Sequence, residues 1–213
     1  MPGPPRPGAA VLELGPGAGD ELAEHARRGW EVWGVEPDPA AAHAIAARAE
    51  MPAERMKIVA AEDAHLPRRG FDRVVMSHVI EHLHDPRGVL AQVRDSMRDD
   101  GELILRFPNF DSLERRLFGP WWSGLDVPRH LQHFTVPTLV RLLGACGLHA
   151  VSTRPQLEYA SPAFSLGLAL HDLRGEEAPF EPSPRLYLAC VPAVALGRML
   201  GAAGTAEVRA RPA

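Results

Sequence analysis

The feature that most constrains this chain is an alternation running from Ala10 to Phe107, in which short apolar runs trade places with segments of helical period. That rhythm is the signature of strand–helix–strand units, which lay their strands side by side in a parallel sheet with helices on its faces. Residues 10–14, 31–36, 57–60, 73–76 and 101–107 read as five strands. Residues 20–28 read as a helix that stops before Gly29. Asp38-Pro39 and Asp85-Pro86 each combine a capping carboxylate with proline at the first helical position, so helices should open there. After the second cap, Val89, Leu90, Val93 and Met97 fall on one helical face.

Beyond Asn109 the rhythm breaks. Residues 110–134 hold Phe110, Phe118, Trp121, Trp122 and Phe134 without a period, which suits a lid or binding segment. A helix is expected from Val136 to about Cys146, with Gly147 as its stop, then a strand at 149–154. Residues 155–185 carry five prolines, and a Leu/Ala-rich helix follows before a last strand at 205–210. The long return fits a hairpin at the sheet edge. The expected organisation is one domain over 1–213: a cofactor-binding core (10–110), a lid and substrate segment (110–135) and a helical insertion (157–203).

Composition narrows the function classes. With 46% hydrophobic and 23% charged residues in 213, the chain is neither disordered nor fibrous. A net charge of −4 gives no reason to expect nucleic acid or an anionic membrane as partner. Lys57 is the only lysine, which removes lysine-dependent chemistry elsewhere. Cys146 and Cys190 lie in apolar surroundings and read as reduced core thiols. Residues 1–8 have no apolar run behind them, and the longest apolar stretch, 186–197, is too short to span a bilayer and contains Pro192. A cytoplasmic protein without a transmembrane segment is expected.

The chemistry concentrates where the first strand ends. Gly15-Pro16-Gly17-Ala18-Gly19 follows that strand and opens a helix, a place where glycine lets backbone approach a ligand. Asp20 stands where a dinucleotide-binding loop needs its third glycine, and the loop has no Lys, Arg, Ser or Thr for a phosphate. Glu13, Asp20 and Glu36 frame it with negative charge, which would repel a pyrophosphate and favour a ligand carrying positive charge. Glu36 lies 21 residues after Gly15, the spacing that brings a carboxylate to a ribose diol.

The run from Glu13 to Gly19 together with Glu36 resembles the first two motifs of class I S-adenosylmethionine-dependent methyltransferases. The likeness continues through residues 71–86 (FDRVVMSHVIEHLHDP) and 101–109 (GELILRFPN), and covers about residues 10–150. It is most similar to the small-molecule branch that includes the ubiquinone-pathway O-methyltransferases. The resemblance implies an α/β, Rossmann-like seven-stranded sheet, mostly parallel with its last strand antiparallel, and helices on both faces. It implies S-adenosylmethionine as cofactor, held by Glu13, Gly15, Gly17, Gly19 and Ser77, with Glu36 on the ribose hydroxyls. The adenine-binding acid is either Glu62, counted back from Leu66-Pro67, or Asp63, which precedes Ala64. Relatives carry several tens of residues before the first strand; either this chain is a truncated version, or the site is open on that side unless residues 157–200 cover it.

His78-Val79-Ile80-Glu81-His82 matches the HxxEH pattern of zinc peptidases, and on a helix positions 78, 81 and 82 would share a face. No third ligand is evident downstream, so no metal is assigned and a metallopeptidase is a remote alternative. In the methyltransferase reading this segment lines the pocket floor, where Glu81 and His82 either order the loop or take part in catalysis. Trp121, Trp122, Arg129 and His133 are candidates for contact with substrate, since aromatics with a few placed polar groups suit a small-molecule pocket.

The expected reaction is methyl transfer to a small molecule, most simply to oxygen, with His78, His82 and His130 as candidate catalytic groups because neutral imidazole can take the acceptor's proton. A short-chain oxidoreductase is excluded: Tyr159 and Tyr187 are followed four residues on by Ala163 and Val191, not lysine. A non-catalytic binding or scaffold protein on the same fold remains an alternative. Residues 157–200 should form at least two helices beside the substrate mouth, implying a partly apolar acceptor and leaving peripheral membrane contact open.

Overall fold

The computed structural model describes residues 3–156, 160–174 and 182–213. Leu157, Glu158 and Tyr159, where the expected insertion begins, lie outside these, as do residues 175–181 within it.

Seven strands form one sheet in the order β3-β2-β1-β4-β5-β7-β6. They are β1 (Ala10–Leu14), β2 (Glu31–Val35), β3 (Met56–Lys57), β4 (Phe71–Ser77), β5 (Met97–Pro108), β6 (Leu148–Gln156) and β7 (Thr205–Pro212). Strands β1 to β5 pair in parallel, and β7 runs antiparallel between β5 and β6. The terminal hairpin therefore sits at the sheet edge as expected, with β6 outermost. The third strand is the one displaced element: it occupies two residues at 56–57, not 57–60, before the chain turns through a 3₁₀ segment at Ala61–Asp63.

Strand alternation sorts the core into two layers, as a period of two requires. Leu12, Val74, Met76, Leu103 and Leu105 point to one face; Val11, Val75 and Ile104 point to the other. The first face is covered by α3 (Pro86–Ser96) and α5 (Val136–Ala145) through Leu90, Val93, Leu139 and Leu143. The second is covered by α1 (Asp20–Arg27) and α2 (Pro39–Arg48) through Leu22, Ala42 and Ile45. Every residue of β1 is buried, which is why its sequence reads as a nearly continuous apolar run. The two predicted caps form: Asp38 accepts from Ala41 N at 2.8 Å and Asp85 from Gly88 N at 2.9 Å.

The segment after β5 is not without structure. It holds a short helix, α4 (Leu113–Phe118), capped by Ser112, and then a loop that returns to the sheet where Phe110 N donates to Phe134 O. Between β6 and β7 lie α6 (Ala160–Arg174) and α7 (Pro184–Met199), which pack on one another. Their buried residues are mostly small, including Ala163, Ser165, Gly167 and Gly197, while Leu173, Leu188 and Met199 are exposed. No helix among the described residues is long and apolar enough to cross a membrane.

Candidate active site

The carboxyl ends of β1, β2, β4 and β5 face the same way, and outside such ends parallel sheets hold their ligands. The glycine loop lies there. Gly15 N donates to Val35 O and Gly19 N to Pro16 O, closing a turn in which Gly15, Gly17 and Gly19 all have positive φ. A Cβ on Gly15 would stand 2.7 Å from Val79 Cγ2, so that glycine is required by packing. A Cβ on Gly17 would meet nothing within 4 Å: the space above it is open.

Below the loop is a cavity of about 170 Å³ lined by Glu13, Gly15, Pro16, Gly17, Glu21 and Ser77. Its lining holds two carboxylates and no cation. Glu13, 3% exposed, lies 3.1 Å from His25 Nδ1; burial pushes its carboxyl above the ordinary range, and the His25 hydrogen bond opposes that rise. Glu21 is held by Arg106, whose Nη2 is 3.1 Å from Glu21 Oε1 and whose Nε is 3.0 Å from Glu207 Oε2. Glu36, at the end of β2, accepts from Asp38 N at 3.1 Å. Glu62 accepts from His84 N at 3.1 Å, while Asp63 is exposed.

A second cavity, about 200 Å³, adjoins the end of β4. Its walls include His78, Ser123, His130, Ser161, Phe164 and Thr205, contributed by the turn after β4, the 110–134 segment, α6 and β7. Ser77 lines the first cavity and the next residue, His78, the second. His78 has φ +54° and its backbone N–H donates to Arg106 O. His130 Nδ1 lies 2.9 Å from Gly124 O. A larger hollow of about 510 Å³ lies at the opposite ends of β4 and β5 among Arg68, Arg94, Asp95 and Asp99; being at the amino ends of the strands, it is not where this sheet type binds.

None of the four expected substrate residues is among those lining the second cavity. Trp122 is 1% exposed and packs edge-on to Phe110, 6.2 Å between centroids, inside the lid. Trp121 Nε1 donates to Asp172 of α6 at 3.1 Å, Arg129 pairs with Asp126, and His133 Nε2 lies 2.9 Å from Leu125 O. These four side chains shape and anchor the lid. The polar wall of the second cavity comes instead from Ser123 and Ser161, 3.2 Å apart, with Ser161 donating to the buried Glu114 at 2.8 Å. Only Ser123 lay inside the aromatic segment that drew attention; nothing in the sequence marks Ser161, which acts through the packing of α6.

The HxxEH run is not on an α-helix. Residues 80–82 form a 3₁₀ turn, and the left-handed backbone at His78 breaks the register that a helical peptidase motif needs. Glu81 is buried, and its backbone O accepts from Leu131 N at 2.8 Å and Gln132 N at 3.1 Å, docking the lid on this turn. The third residue that approaches Glu81 and His82 is His130, brought from the lid and not from a downstream helix.

A sheet in the order 3-2-1-4-5-7-6 with a glycine loop and a carboxylate at its carboxyl edge defines the methyltransferase class. Residues 1–153 match the family described as Methyltransferase domain, and the chain belongs to it. Solved structures share the fold. A methyltransferase from Thermotoga maritima, described as a possible histamine N-methyltransferase, superposes with a TM-score of 0.62 at 16% identity over 98% of this chain and 84% of its own. One from Archaeoglobus fulgidus gives 0.64 at 19% identity over 96% and 86%. The 1,6-didemethyltoxoflavin-N1-methyltransferase of Burkholderia thailandensis, solved with that substrate and S-adenosylhomocysteine, gives 0.57 at 18% over 96% and 71%. By sequence, an uncharacterized 37.1 kDa protein from a transposon of Streptomyces fradiae is 29% identical over 112 residues, 51% of this chain; the match spans 32% of that protein.

Proposed function

We propose that this chain transfers the methyl group of S-adenosylmethionine to an oxygen of a small, partly apolar acceptor. The observation that carries the reading is the pair Ser77–His78: Ser77 lines a carboxylate-bearing cavity at the glycine loop, and His78 lines a cavity walled by imidazoles, hydroxyls and Phe164.

The residues fit the cofactor. The open space above Gly17 admits a ligand against the backbone, and Glu13 and Glu21 offer negative charge with no competing lysine or arginine in the lining. Glu36 takes the ribose hydroxyls. Of the two acids considered for adenine, Glu62 is engaged by the His84 backbone and Asp63 is exposed, so the contact is assigned to Asp63. When bound, S-adenosylmethionine supplies an activated methyl group on a cationic sulfur.

The protein's own task is alignment, exclusion of water and removal of one proton. His78, beside Ser77, stands on the donor side and takes the acceptor's hydroxyl proton. His130 lines the same cavity: a carbonyl only accepts, so Nδ1–H donates to Gly124 O and Nε2 keeps its lone pair. Phe164 gives the acceptor an apolar face, and the absence of any Arg or Lys from the lining disfavours an anionic one.

Calorimetric titration with S-adenosylhomocysteine is the direct test, with saturable binding expected. No binding at about 1 mM ligand would overturn the reading and leave a scaffold on a methyltransferase fold. Methyl-labelled cofactor with phenolic acceptors would then identify the receiving atom; transfer to nitrogen alone would correct the oxygen assignment.

A further inference from the structure

We propose that the second cavity selects an acceptor carrying a hydroxyl or amino donor in addition to the group that receives the methyl. The selecting wall is Ser123 and Ser161, whose own protons are drawn inwards by the buried Glu114. The inference rests on the reading of this cavity as the acceptor site.

Glu114 carries the argument. It belongs to α4, is 6% exposed, and accepts from Ser161 Oγ at 2.8 Å. A carboxylate is kept in such burial only where donors complete it. The fold makes room for it at the cavity wall: a Cβ on Gly204 would collide with both Glu114 carboxylate oxygens, and Gly204 lines the cavity. The backbone of Gly204 is not left-handed, so it is the carboxylate that requires glycine there.

A serine hydroxyl has one proton to give, and here each is committed inside the wall. Ser161 directs its proton to Glu114. Ser123 Oγ donates to Ser161 O at 3.1 Å and lies 3.2 Å from Ser161 Oγ, which with its proton turned to Glu114 can only accept. Ser165, fully buried on α6, donates to Ser161 O at 2.8 Å and accepts from Ser123 N at 2.9 Å, so the 110–134 segment is tied to α6 through these serines. What remains for a ligand is the lone pairs of Ser123 and Ser161. His130, in the same lining, donates from Nδ1 to Gly124 O, so its other ring nitrogen accepts as well.

An ether, carbonyl or methyl group would leave these lone pairs unpaired, whereas a hydroxyl or amino group satisfies them. A site built to bind a substrate donor rejects the analogue lacking it far more strongly than an apolar pocket rejects a missing methylene. Phe164 supplies the apolar part of the lining, so the chemistry suits a small ring with a second donor on its edge.

The test compares resorcinol and 3-aminophenol with m-cresol and 3-methoxyphenol, each titrated into the full chain by NMR and calorimetry, with and without S-adenosylhomocysteine. The two probes with a second donor should bind at least about tenfold more tightly than the two without. Ser123→Ala should bring all four within about threefold of one another. Glu114→Gln should do the same, because its amide can turn an N–H to Ser161 and release that hydroxyl's proton to a ligand. Gly204→Ala, which displaces the carboxylate, should match it with both serines in place, while Ser161→Thr, which keeps a hydroxyl, should retain the preference. If Glu114→Gln or Gly204→Ala unfolds in a thermal melt, Ser123→Ala and Ser161→Thr decide. Equal binding of the four probes, no binding of any by about 10 mM, or a preference that survives Ser123→Ala overturns the inference. Failure of S-adenosylhomocysteine to bind the native chain is a separate result: it overturns the cofactor reading, and the probe ratio is still read on the free chain.

Discussion

Gly15, Gly17 and Gly19 share a left-handed backbone but not a reason for being glycine. Gly15 is closed in by Val79, whereas the space above Gly17 is open. Gly17→Val should therefore abolish S-adenosylhomocysteine binding in calorimetry while lowering stability only by the backbone strain, about 1–2 kcal/mol. Gly15→Val should lose both, and equal behaviour of the two would sink the distinction. Glu36→Ala should weaken cofactor binding by about 1–3 kcal/mol, the loss of a charged hydrogen-bond partner; unchanged affinity would place the ribose contact elsewhere. At this scale the loop was readable because the glycines and their acidic frame are local in sequence. Ser161 and Phe164 were not readable, because they reach the cavity only through the packing of α6.

The lid shows what an element adds. Its aromatic content was evident, but the direction of each ring was not: Trp122 turns inwards to Phe110 and Trp121 ties to α6. Trp122→Ala should cost about 3–5 kcal/mol and increase hydrogen exchange across residues 110–134, with cofactor affinity preserved. Unaltered exchange would mean the ring does not hold the lid. On the proposed function, His130→Ala should lower turnover far more than cofactor affinity, since His130 lines the second cavity and not the one at the glycine loop. A parallel loss of both would indicate misfolding. The 80–82 turn carries the same lesson: positions 78, 81 and 82 would share a face on a helix, but a 3₁₀ turn follows a left-handed His78.

Across the whole sheet, ion pairs link elements far apart in sequence. Arg106 on β5 joins Glu21 on α1 to Glu207 on β7, and Arg209 pairs with Glu207 and, at 3.5 Å, with Glu102. Burial alone would raise the Glu207 carboxyl, but Arg209 and Arg106 outweigh it and hold it below its ordinary 4.5. A depressed carboxyl adds stability at pH values above 4.5, and that contribution disappears as pH falls through the folded value. In urea unfolding, the native chain should therefore lose more stability between pH 7 and about pH 3 than Glu207→Gln does. Identical losses would show that another group governs acid sensitivity. This network also fixes the first turn of α1 against the sheet, and with it the wall that Glu21 supplies to the cavity at the glycine loop.

The sequence by itself determined the parallel core, the two proline-capped helices, the glycine loop and the edge hairpin, because periodicity, capping and turn chemistry are short-range. It also placed a pair of helices in the long return to β7, where two are found, though it named Leu157 as their start and that residue is not described. Tertiary structure decided the rest. It inserted β7 between β5 and β6, shortened β3, turned Trp122 inwards, and brought His130 of the lid to Glu81 and His82. Each of these depends on pairing between segments far apart in the chain. No local pattern encodes where a loop of mixed polarity comes to rest, so the residues that meet there become visible only once the sheet is assembled.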